Sequence, residues 1–404
     1  MVRSDKMQFT DFHLQVPILK AIDDLGYSAP TQIQEKAIPL VHNGQDIIGH
    51  SETGSGKTAA FGLPILNELS HGGGINALVL TPTRELCLQV CEALNGFGKY
   101  LHLRIVPVFG GVGIAPQLKA LRTADIVVAT PGRLLDVLGQ GVKLNAVRYL
   151  VLDEADRMLD MGFIDDVEKI MRYTPRQRQT LLFSATVSPR LRSLVNHYMH
   201  SPVSVQGKTQ VDTHLLAERA YSVQSQEKLS LLVHLLKHET KGIALVFCKT
   251  RRNCDRVSKN LRAQRIDATP IHGGLSQGRR TETIANLHKR GIGILVATDV
   301  ASRGLHIDNI SHVYNYDIPQ TSDDYIHRIG RTARAGAKGD AVTFVTPQDN
   351  RDFQIILRGL RRKIAPAPLP VFEKITVVAA GPSHGRSRQQ QNHKPFWQHK
   401  RRHR

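Results

Sequence analysis

The sequence predicts an α/β protein with two tandem domains, each a mostly parallel sheet flanked by helices, followed by a disordered basic C-terminal tail. Short apolar runs typical of buried strands alternate with helical stretches, and this alternation indicates parallel sheets covered by helices. The runs form two series, separated by residues 201–214, where the periodicity fades. A chain of 404 residues with 41% hydrophobic content can bury two ordinary cores.

The two series of runs set the expected domain boundaries. The first series comprises DIIGH at 46–50, ALVL at 77–80, VPVF at 106–109, DIVVA at 125–129, YLVL at 149–152 and TLLF at 180–183. The second comprises ALVF at 244–247, ILVA at 294–297, HVYNY at 312–316 and AVTFV at 341–345. We therefore expect an N-terminal segment at 1–35, a first domain at 36–205, a linker at 206–216, a second domain at 217–362 and the tail at 363–404.

The run SETGSGKT at 51–58 is a candidate phosphate loop, because it lies between a predicted strand and a predicted helix. Gly54 and Gly56 let backbone N–H groups approach phosphates, and Lys57 reaches the terminal phosphates. The hydroxyl of Thr58 is expected where Mg²⁺ would be bound. Ser51 stands where the usual pattern GxxxxGK[ST] has its first glycine, and the alternative interpretation is an ordinary glycine-rich turn.

The acidic run DEAD at 153–156 follows an apolar strand-like run, so Asp153 and Glu154 are expected at the carboxyl edge of the sheet, where open α/β sheets bind ligands. There Asp153 could hold Mg²⁺ through water, and Glu154 could orient and deprotonate an attacking water. A solvated acidic turn is the alternative interpretation. The second series contains no phosphate loop, which predicts that the second domain completes a nucleotide site in the first.

Net charge points to a polyanionic partner. Lys and Arg number 54 against 35 Asp and Glu, giving a net charge of +19. Eleven of these cations but only one acid lie at 361–404, where Phe396 and Trp397 stand among basic residues. Basic charge interleaved with aromatic rings favours a second, sequence-independent nucleic-acid contact, and a tail that only promotes solubility is the alternative.

Cysteine spacing and hydropathy indicate the redox state of the thiols and the location of the protein. The cysteines are Cys87, Cys91, Cys248 and Cys254, and because no two have CxxC spacing, we expect reduced thiols and no zinc site. No apolar run is long enough to span a bilayer, and the N-terminal residues are too polar for a signal peptide. We therefore expect a cytoplasmic protein without a membrane partner.

The order of the motifs resembles that of the DEAD-box ATP-dependent RNA helicases, specifically the compact bacterial type with a basic C-terminal tail. The matching segments are GYSAPTQIQ at 26–34, SETGSGKT, PTREL at 82–86, GG at 110–111, TPGR at 130–133, DEAD, SAT at 184–186, VFCKT at 246–250, IHGGLSQGRR at 271–280, ATDVASRGL at 297–305 and HRIGRTAR at 327–334. The resemblance implies a pair of RecA-like domains over residues 1–362, with an adenine-recognition motif in the N-terminal segment.

The resemblance also implies ATP and Mg²⁺ as cofactors. The implied nucleotide contacts are Phe9, Tyr27, Thr31, Gln34, Ser51, Glu52, Thr53, Gly54, Ser55, Gly56, Lys57, Thr58, Asp153, Glu154, Gly304, Arg331 and Arg334. Catalytic roles fall to Lys57, Glu154, Arg331 and Arg334, and Mg²⁺ binding falls to Thr58 and Asp153.

Three of these assignments carry structural expectations. The Gln34 amide is expected to bond adenine in a bidentate manner. For Phe9 the sequence supports two interpretations equally: its ring packs against the adenine base, or it packs in the hydrophobic core. Arg331 and Arg334 are expected on one helical face, reaching the γ-phosphate together.

His306 replaces the family's usual acid after RGL, so we expect His306→Asp to change the Michaelis constant for ATP modestly.

RNA, alone or within ribonucleoprotein complexes, is the implied partner, and it is expected to be contacted without sequence preference. The implied RNA-binding residues are Arg84, Gly111, Thr130, Gly132, Arg133, Thr250, Gly273, Gln277, Arg280 and Thr298, and the implied coupling element is Ser184, Ala185 and Thr186. Residues of these types contact phosphates and 2′-hydroxyls. RNA-stimulated ATP hydrolysis coupled to local strand separation is then expected. The alternatives are an ATP-gated RNA clamp or annealing factor, and a DNA-directed ATPase.

Overall fold

The computed structural model describes residues 7–50, 55–207, 215–275, 278–279, 282–283, 286–287, 293–302, 307, 310–333, 337–360 and 363–375. Within these residues the chain forms two seven-stranded sheets, and every strand pair in both sheets is parallel. The predicted fold class is confirmed.

The first sheet has the strand order β3-β4-β2-β5-β6-β1-β7. Its strands are β1 Ile47–His50, β2 Ala77–Leu80, β3 Ile105–Val108, β4 Ile126–Ala129, β5 Tyr149–Asp153, β6 Gln179–Ser184 and β7 Val203–Gln206. Every residue of β2, β4, β5 and β6 is buried. Helices cover both faces of a parallel sheet, which explains why these central strands read as unbroken apolar runs.

Nine α-helices accompany the first sheet within the described residues, after a single 3-10 turn at Phe9–Phe12. They are α1 Val16–Asp24, α2 Gln32–His42, α3 Lys57–Glu68, α4 Arg84–Phe97, α5 Ile114–Leu121, α6 Pro131–Leu138, α7 Ala155–Asp160, α8 Ile164–Tyr173 and α9 Pro189–Tyr198. Local signals fix several of their starts. The hydroxyls of Thr83 and Ser188 cap α4 and α9, and Pro131 and Pro189 occupy first helical positions.

The second sheet has the order β10-β11-β9-β12-β13-β8-β14. Its strands are β8 Leu216–Ser222, β9 Ile243–Phe247, β10 Ala268–Ile271, β11 Gly293–Ala297, β12 Ile310–Asn315, β13 Gly339–Val345 and β14 Ala365–Pro366. The described helices of this domain are α10 Lys228–His238, α11 Arg251–Ala263, α12 Asp299–Ser302, α13 Ser322–Ile329 and α14 Asn350–Leu360. When strands are numbered along the chain within each domain, both sheets have the same order.

Four strands fall outside the predicted runs. β7 lies at the sheet edge, in the segment where periodicity fades, and β8 reads LAERAYS, with charged residues between apolar ones. β10 is four residues long and contains Pro270, and β14 has only two residues. Edge position, short length and polar residues weaken the apolar pattern on which the sequence prediction depends.

Two boundary predictions need correction. The N-terminal segment is not separate from the first domain, because Phe9, Ile18 and Ile33 are buried in its core. The tail predicted from residue 363 begins too early, since β14 pairs with β8 and residues up to 375 pack on the second domain. Residues 376–404 lie outside the described part of the chain.

All four cysteines are buried free thiols, as expected for reduced core residues. Burial raises the pKa of the Cys87 thiol to about 12 and that of Cys91 to about 11, so both remain protonated at neutral pH. No helix in the described part of the chain combines the length and the apolar character needed to cross a bilayer.

Candidate active site and nucleic-acid interface

The phosphate loop joins β1 to α3. Its first four residues, 51–54, lie outside the described part of the chain, and its end consists of Ser55 and Gly56 followed by Lys57, the first residue of α3. Gly56 has φ +89°, and a Cβ at this position would overlap the side-chain amide of Gln34. Only glycine fits both the left-handed backbone and this close approach.

Lys57 faces Asp153, which ends β5. The two side chains are buried, and Lys57 Nζ lies 3.7 Å from Asp153 Oδ1, which makes no hydrogen bond to any described residue. Burial raises the pKa of the Asp153 carboxyl to about 6, although the Lys57 ammonium opposes this increase and Glu154 adds to it. A second cation beside Asp153 would stabilise its ionised form.

This donor set fits Mg²⁺. Magnesium binds hard oxygen ligands and usually takes only one or two protein ligands, with water and phosphate oxygens completing the shell. The unbonded carboxylate oxygen of Asp153 and the hydroxyl of Thr58, next to Lys57 on α3, supply such ligands. Elsewhere in the described residues, no group of three or more His, Cys, Asp or Glu side chains could hold a metal ion.

Glu154 has a strained backbone conformation. Its φ of 54° and ψ of 52° are left-handed, which costs a non-glycine residue about 1–3 kcal/mol, and such strain is concentrated at functional sites. Glu154 forms a buried ion pair with Arg157, whose Nη1 lies 2.8 Å from Glu154 Oε2. The pair fixes the direction of the carboxylate at the edge of the sheet.

Asp156 bonds the DEAD run to the SAT segment that ends β6. Its Oδ2 accepts hydrogen bonds from the backbone N–H groups of Ala185 at 3.0 Å and Thr186 at 3.1 Å. In return, the backbone N–H of Asp156 donates to the hydroxyl of Ser184 at 3.2 Å, and that hydroxyl donates to the carbonyl of Thr186 at 2.6 Å. The three predicted coupling residues are therefore bonded directly to the DEAD run.

Gln34 lies against the phosphate loop. Its Oε1 accepts from the backbone N–H of Thr31 at 2.8 Å, and its Nε2 donates to the carbonyl of Gly56 at 3.0 Å. The hydroxyl of Thr31 donates to the carbonyl of Ser55 at 2.9 Å. Gln34 is only 1% exposed. Bidentate adenine binding would therefore use the remaining hydrogen and lone pair of an amide already bonded to the loop.

The two aromatic residues expected near adenine differ in exposure: one lies in the core and the other at the surface. Phe9 is 5% exposed and belongs to the first-domain core, with its ring 6.1 Å from those of Phe12 and Tyr27. Tyr27 is 38% exposed and also contacts Phe97 edge to face at 5.6 Å. Of the two, Tyr27 has the ring surface that a nucleotide base could contact.

The first-domain candidates for RNA contact follow β2, β3 and β4 at one edge of the sheet. The guanidinium of Arg84, at the start of α4, lies over Gly110 and Gly111, and a Cβ on Gly111 would overlap it. Thr130 precedes α6, where Gly132 has no neighbour within 4 Å of a built Cβ. Arg133 donates to the carbonyl of Val112 at 3.0 Å. The structure brings these predicted residues to one surface.

The second-domain candidates lie at the equivalent edge, after β9, β10 and β11. The hydroxyl of Thr250 caps α11 by accepting from the backbone N–H of Asn253 at 3.1 Å. Gly273 follows β10, and the buried Thr298 follows β11, with its N–H bonded to the carbonyl of Ile271. Gln277 and Arg280 lie outside the described residues.

Arg331 is not on a helix, which corrects the expected helical face. α13 ends at Ile329, and the chain turns at Gly330 because the hydroxyl of Thr332 bonds the carbonyls of Ile310 at 2.6 Å and Ser311 at 3.1 Å. Arg331 is buried in this turn. Gly304, His306 and Arg334 lie outside the described part of the chain.

Three further polar residues hold the site together and carry no role in the sequence prediction. They are Asp156, Arg157 and Arg328. Arg328 binds Asp299 through two hydrogen bonds of 2.6 and 2.7 Å, and it donates to the carbonyl of Asp317 at 2.6 Å. The signal available in the sequence was position: Asp156 and Arg328 lie inside the motifs DEAD and HRIGRTAR, and Arg157 directly follows DEAD. Arg157 pairs with the nearby Glu154, whereas the partners of Asp156 and Arg328 lie farther along the chain.

Comparison with known proteins gives consistent matches over both domains. A model of the DEAD/DEAH box helicase family matches residues 31–194, and a model of the helicase conserved C-terminal domain matches residues 227–336. An ATP-dependent RNA helicase CshA of Listeria monocytogenes is 43% identical over 371 residues, which are 91% of this chain and 71% of the relative. A DEAD-box ATP-dependent RNA helicase CshA of Geobacillus kaustophilus is 41% identical over 370 residues, 91% of this chain and 79% of the relative.

Solved structures match the whole fold. The chain is similar to S. cerevisiae Dbp5 bound to RNA and ADP BeF3, with 28% identity, a TM-score of 0.82, and coverage of 90% of this chain and 96% of that one. A DEAD box protein of Methanococcus jannaschii is 40% identical, with a TM-score of 0.55, and the match covers 90% of this chain and 99% of that one.

The two relatives are more than 40% identical across nine-tenths of the chain, and the two family models cover residues 31–194 and 227–336. The ordered motifs, the buried Lys57–Asp153 pair and the DEAD–SAT hydrogen bonds lie within that region. This chain therefore belongs to the DEAD-box family of ATP-dependent RNA helicases, as the order of its motifs predicts.

Proposed function

We propose that this protein hydrolyses ATP in response to RNA and uses the cycle to separate short RNA duplexes locally or to remodel ribonucleoprotein complexes. One observation carries the proposal: the DEAD run faces the phosphate loop on one side and is hydrogen-bonded to the SAT segment on the other. Asp153 faces Lys57 of the phosphate loop, and Asp156, three residues later, binds the backbone of Ala185 and Thr186. One rigid segment thus connects the nucleotide site with SAT.

The first domain supplies most of the proposed nucleotide site. Lys57 binds the terminal phosphates, and the loop backbone around Gly56 donates N–H groups to them. Gln34 and Thr31 support that loop from the adenine side, as their bonds to Gly56 and Ser55 indicate. Mg²⁺, held by Thr58 and Asp153 with phosphate oxygens, would neutralise negative charge on the reacting phosphates.

Glu154 is the proposed general base. Its carboxylate orients the attacking water and accepts a proton from it as the bond to the γ-phosphorus forms. The buried ion pair with Arg157 holds the carboxylate in one direction, which reduces the reorganisation needed during the reaction. Arg331 and Arg334 are proposed to contact the γ-phosphate from the second domain.

RNA binding is proposed for the edges that carry Arg84, Gly111, Thr250, Gly273 and Thr298. Cationic, hydroxyl and glycine residues at these positions suit phosphates and 2′-hydroxyls, and they read little base identity. ATP and RNA would each be contacted by both domains, so each would favour the same closed state and tighten binding of the other. The basic residues of 376–404 add sequence-independent contacts.

Two alternative functions make different predictions in solution. An ATP-gated clamp or annealing factor would bind RNA with ATP but would not separate a short duplex. A DNA-directed ATPase would be stimulated by single-stranded DNA at least as strongly as by RNA. Measuring ATP hydrolysis with RNA and with DNA of the same sequence, together with unwinding of a short RNA duplex, distinguishes all three.

The proposed catalytic base is tested by Glu154→Gln. Removing a general base is expected to lower kcat by about 10²–10⁴-fold. ATP-dependent RNA binding should remain, since the amide keeps the size of the side chain. The matched control is Asp166→Asn, which removes a partly exposed carboxylate that is also paired with a cation three residues away. Normal turnover in Glu154→Gln would exclude Glu154 as the base.

A further inference from the structure

The second domain repeats the first strand for strand, which allows positions in the two domains to be compared directly. β2 pairs with β5 at Leu80 and Leu152, and β9 pairs with β12 at Phe247 and Asn315. Three residues beyond Leu80 and Phe247, a threonine hydroxyl caps the next helix by accepting from the N–H three residues later, at 3.2 Å for Thr83 and 3.1 Å for Thr250.

The arginine after each threonine lies over a glycine of the neighbouring loop. A Cβ built on Gly110 would lie 3.4 Å from Arg84 Nη2, and one built on Gly273 would lie 3.2 Å from Arg251 Nη2. Neither guanidinium makes a hydrogen bond to another described residue. Arg251, which the sequence prediction passed over, therefore lies over a glycine as Arg84 does, although it is more exposed, and it has donors available for a phosphate.

The two domains differ at the lysine that begins the helix after the first strand. In the first, Lys57 Nζ lies 3.7 Å from Asp153 Oδ1, too far for a hydrogen bond. In the second, Lys228 also begins the helix after the first strand, but its Nζ bonds Asp317 Oδ1 at 2.7 Å. The connection before it, VQSQE at 223–227, contains no glycine. Lys228 is therefore hydrogen-bonded to a carboxylate, whereas Lys57, at the end of the phosphate loop, lies 3.7 Å from its carboxylate.

Asp317 uses its other oxygen to hold the start of α11. Oδ2 accepts from the backbone N–H of Lys249 at 2.9 Å and from Nδ2 of Asn253 at 2.7 Å. These two donors lie on either side of Thr250 and Arg251. Burial alone would raise the pKa of Asp317, but the Lys228 ammonium and these donors lower it below its usual value, so the carboxylate is charged at neutral pH.

We propose that Asp317, held by Lys228, is a positioning residue for a second RNA-phosphate grip, formed by Thr250 and Arg251 over Gly273. The ligand class is the phosphodiester backbone of single-stranded RNA. The inference rests on the proposed function, because the grip in the first domain around Arg84 is itself assigned there. The hydrogen bond from Lys228 holds Asp317 in place. Asp317 in turn fixes the start of α11, where Thr250 and Arg251 lie.

The proposed contact of Arg251 with RNA is tested by comparing alanine variants of Arg251 and of its neighbour Arg252. Arg251→Ala is expected to weaken binding of a labelled single-stranded RNA by about tenfold, the effect of losing one charge-assisted contact. Arg252→Ala removes the same charge from the next exposed residue and is expected to change binding by less than about twofold. Equal effects of the two variants would overturn the assignment of Arg251, because net charge alone would explain them.

The positioning residue is tested by a double-mutant cycle. Asp317→Asn should raise the KM for RNA several-fold in the wild-type background, with kcat at saturating RNA and the KM for ATP unchanged. In the background of Thr250→Val with Arg251→Ala, the same change should have little further effect, since its target is gone. Additive effects would show a general structural role and overturn the proposal. If Asp317→Asn does not fold, Asn253→Ala, which removes one of the two bonds, is used in the same cycle.

Two controls separate failure of this inference from failure of the proposed function. Glu239→Gln removes a partly exposed carboxylate bound to Arg219 at the opposite end of α10 from Lys228, and it should leave RNA binding unchanged. Arg84→Ala reports on the first-domain grip. If Arg84→Ala weakens RNA binding and Arg251→Ala does not, only the second grip is wrong. If neither does, the proposed RNA surface is wrong.

Discussion

Asp156 accepts a hydrogen bond of 3.1 Å from the backbone N–H of Thr186, 30 residues along the chain. The same carboxylate oxygen accepts from Ala185, and Ser184 closes the connection from the other side. The DEAD run and SAT therefore form one bonded unit at the ends of neighbouring strands β5 and β6. These bonds connect the DEAD run to SAT directly, and the coupling role proposed for SAT can be tested through them.

Replacing Asp156 with Ala is expected to uncouple hydrolysis from RNA. Two partly buried N–H groups would lose their acceptor, at a cost of up to about 1–3 kcal/mol each, and SAT would no longer be bonded to the DEAD run. We expect ATP affinity to change little and RNA stimulation of ATP hydrolysis to fall by about tenfold or more. The exposed Asp165→Asn is the control. Full RNA stimulation in Asp156→Ala would contradict a coupling role for these bonds.

Replacing Gln34 with Ala tests how that amide acts on the nucleotide. The variant loses the bonds to Thr31 and Gly56 as well as any bond to adenine, so ATP affinity should fall by about tenfold or more. If the amide also reads the base, the preference for ATP over GTP should decrease. Competition binding with both nucleotides measures this, and a proportional loss for ATP and GTP would limit Gln34 to supporting the loop.

Asp125 gives a pH-dependent stability prediction for the first domain. Its buried carboxylate accepts from the N–H groups of Gly72 at 3.0 Å and Arg104 at 2.8 Å, and it lies 2.8 Å from Nδ1 of His71. Burial would raise the pKa of Asp125, but these partners lower it below its usual value. The folded pKa is thus below the unfolded one, so the stabilisation is present above about pH 4 and is lost as pH falls through the folded pKa.

Asp125→Asn should therefore lower the free energy of unfolding by about 1–3 kcal/mol at pH 7, with a smaller difference as the pH falls below about 4. Denaturant unfolding of both proteins at several pH values measures the effect. The exposed Asp136→Asn serves as the control and should be nearly neutral throughout. A difference that stays constant down to pH 3 would exclude the ionised carboxylate as its source.

Truncation after Ile375 tests the basic tail without disturbing the second domain. Residues 376–404 contain seven Lys or Arg and no acid, so their removal should weaken RNA binding and reduce its salt dependence. The slope should decrease by roughly 0.7 for each RNA phosphate that the tail neutralises. Saturating turnover should remain. An unchanged salt slope would show that the tail does not contact RNA.

Truncation after residue 362 should behave differently. It also removes β14, which pairs with β8, and Phe372, which packs on the second-domain core, together with the bond from the N–H of Ile375 to the hydroxyl of Ser230 at 3.1 Å. The free energy of unfolding should fall, and turnover should fall with it. Equal stability of the two truncated proteins would contradict a structural role for residues 363–375.

The sequence alone predicted the fold class, most of the strands and the family. Buried parallel strands appear as apolar runs, so β2 matches ALVL at 77–80 residue for residue, and β4 and β5 match within one residue. Phosphate-loop and DEAD chemistry is also local, since each motif directly follows its strand. The edge strand β7 and its counterpart near the other sheet's edge, β8, were missed because polar side chains interrupt their apolar pattern.

Tertiary structure alone decided which polar groups meet. Lys228 and Asp317 are 89 residues apart, and no local pattern indicates that the second domain closes this pair while the first keeps Lys57 and Asp153 apart. Nor does periodicity place Arg251 over Gly273. Hydrophobic periodicity reports burial along one strand or helix, whereas partners are set by the order of strands in the sheet, which brings the ends of distant segments to the same edge.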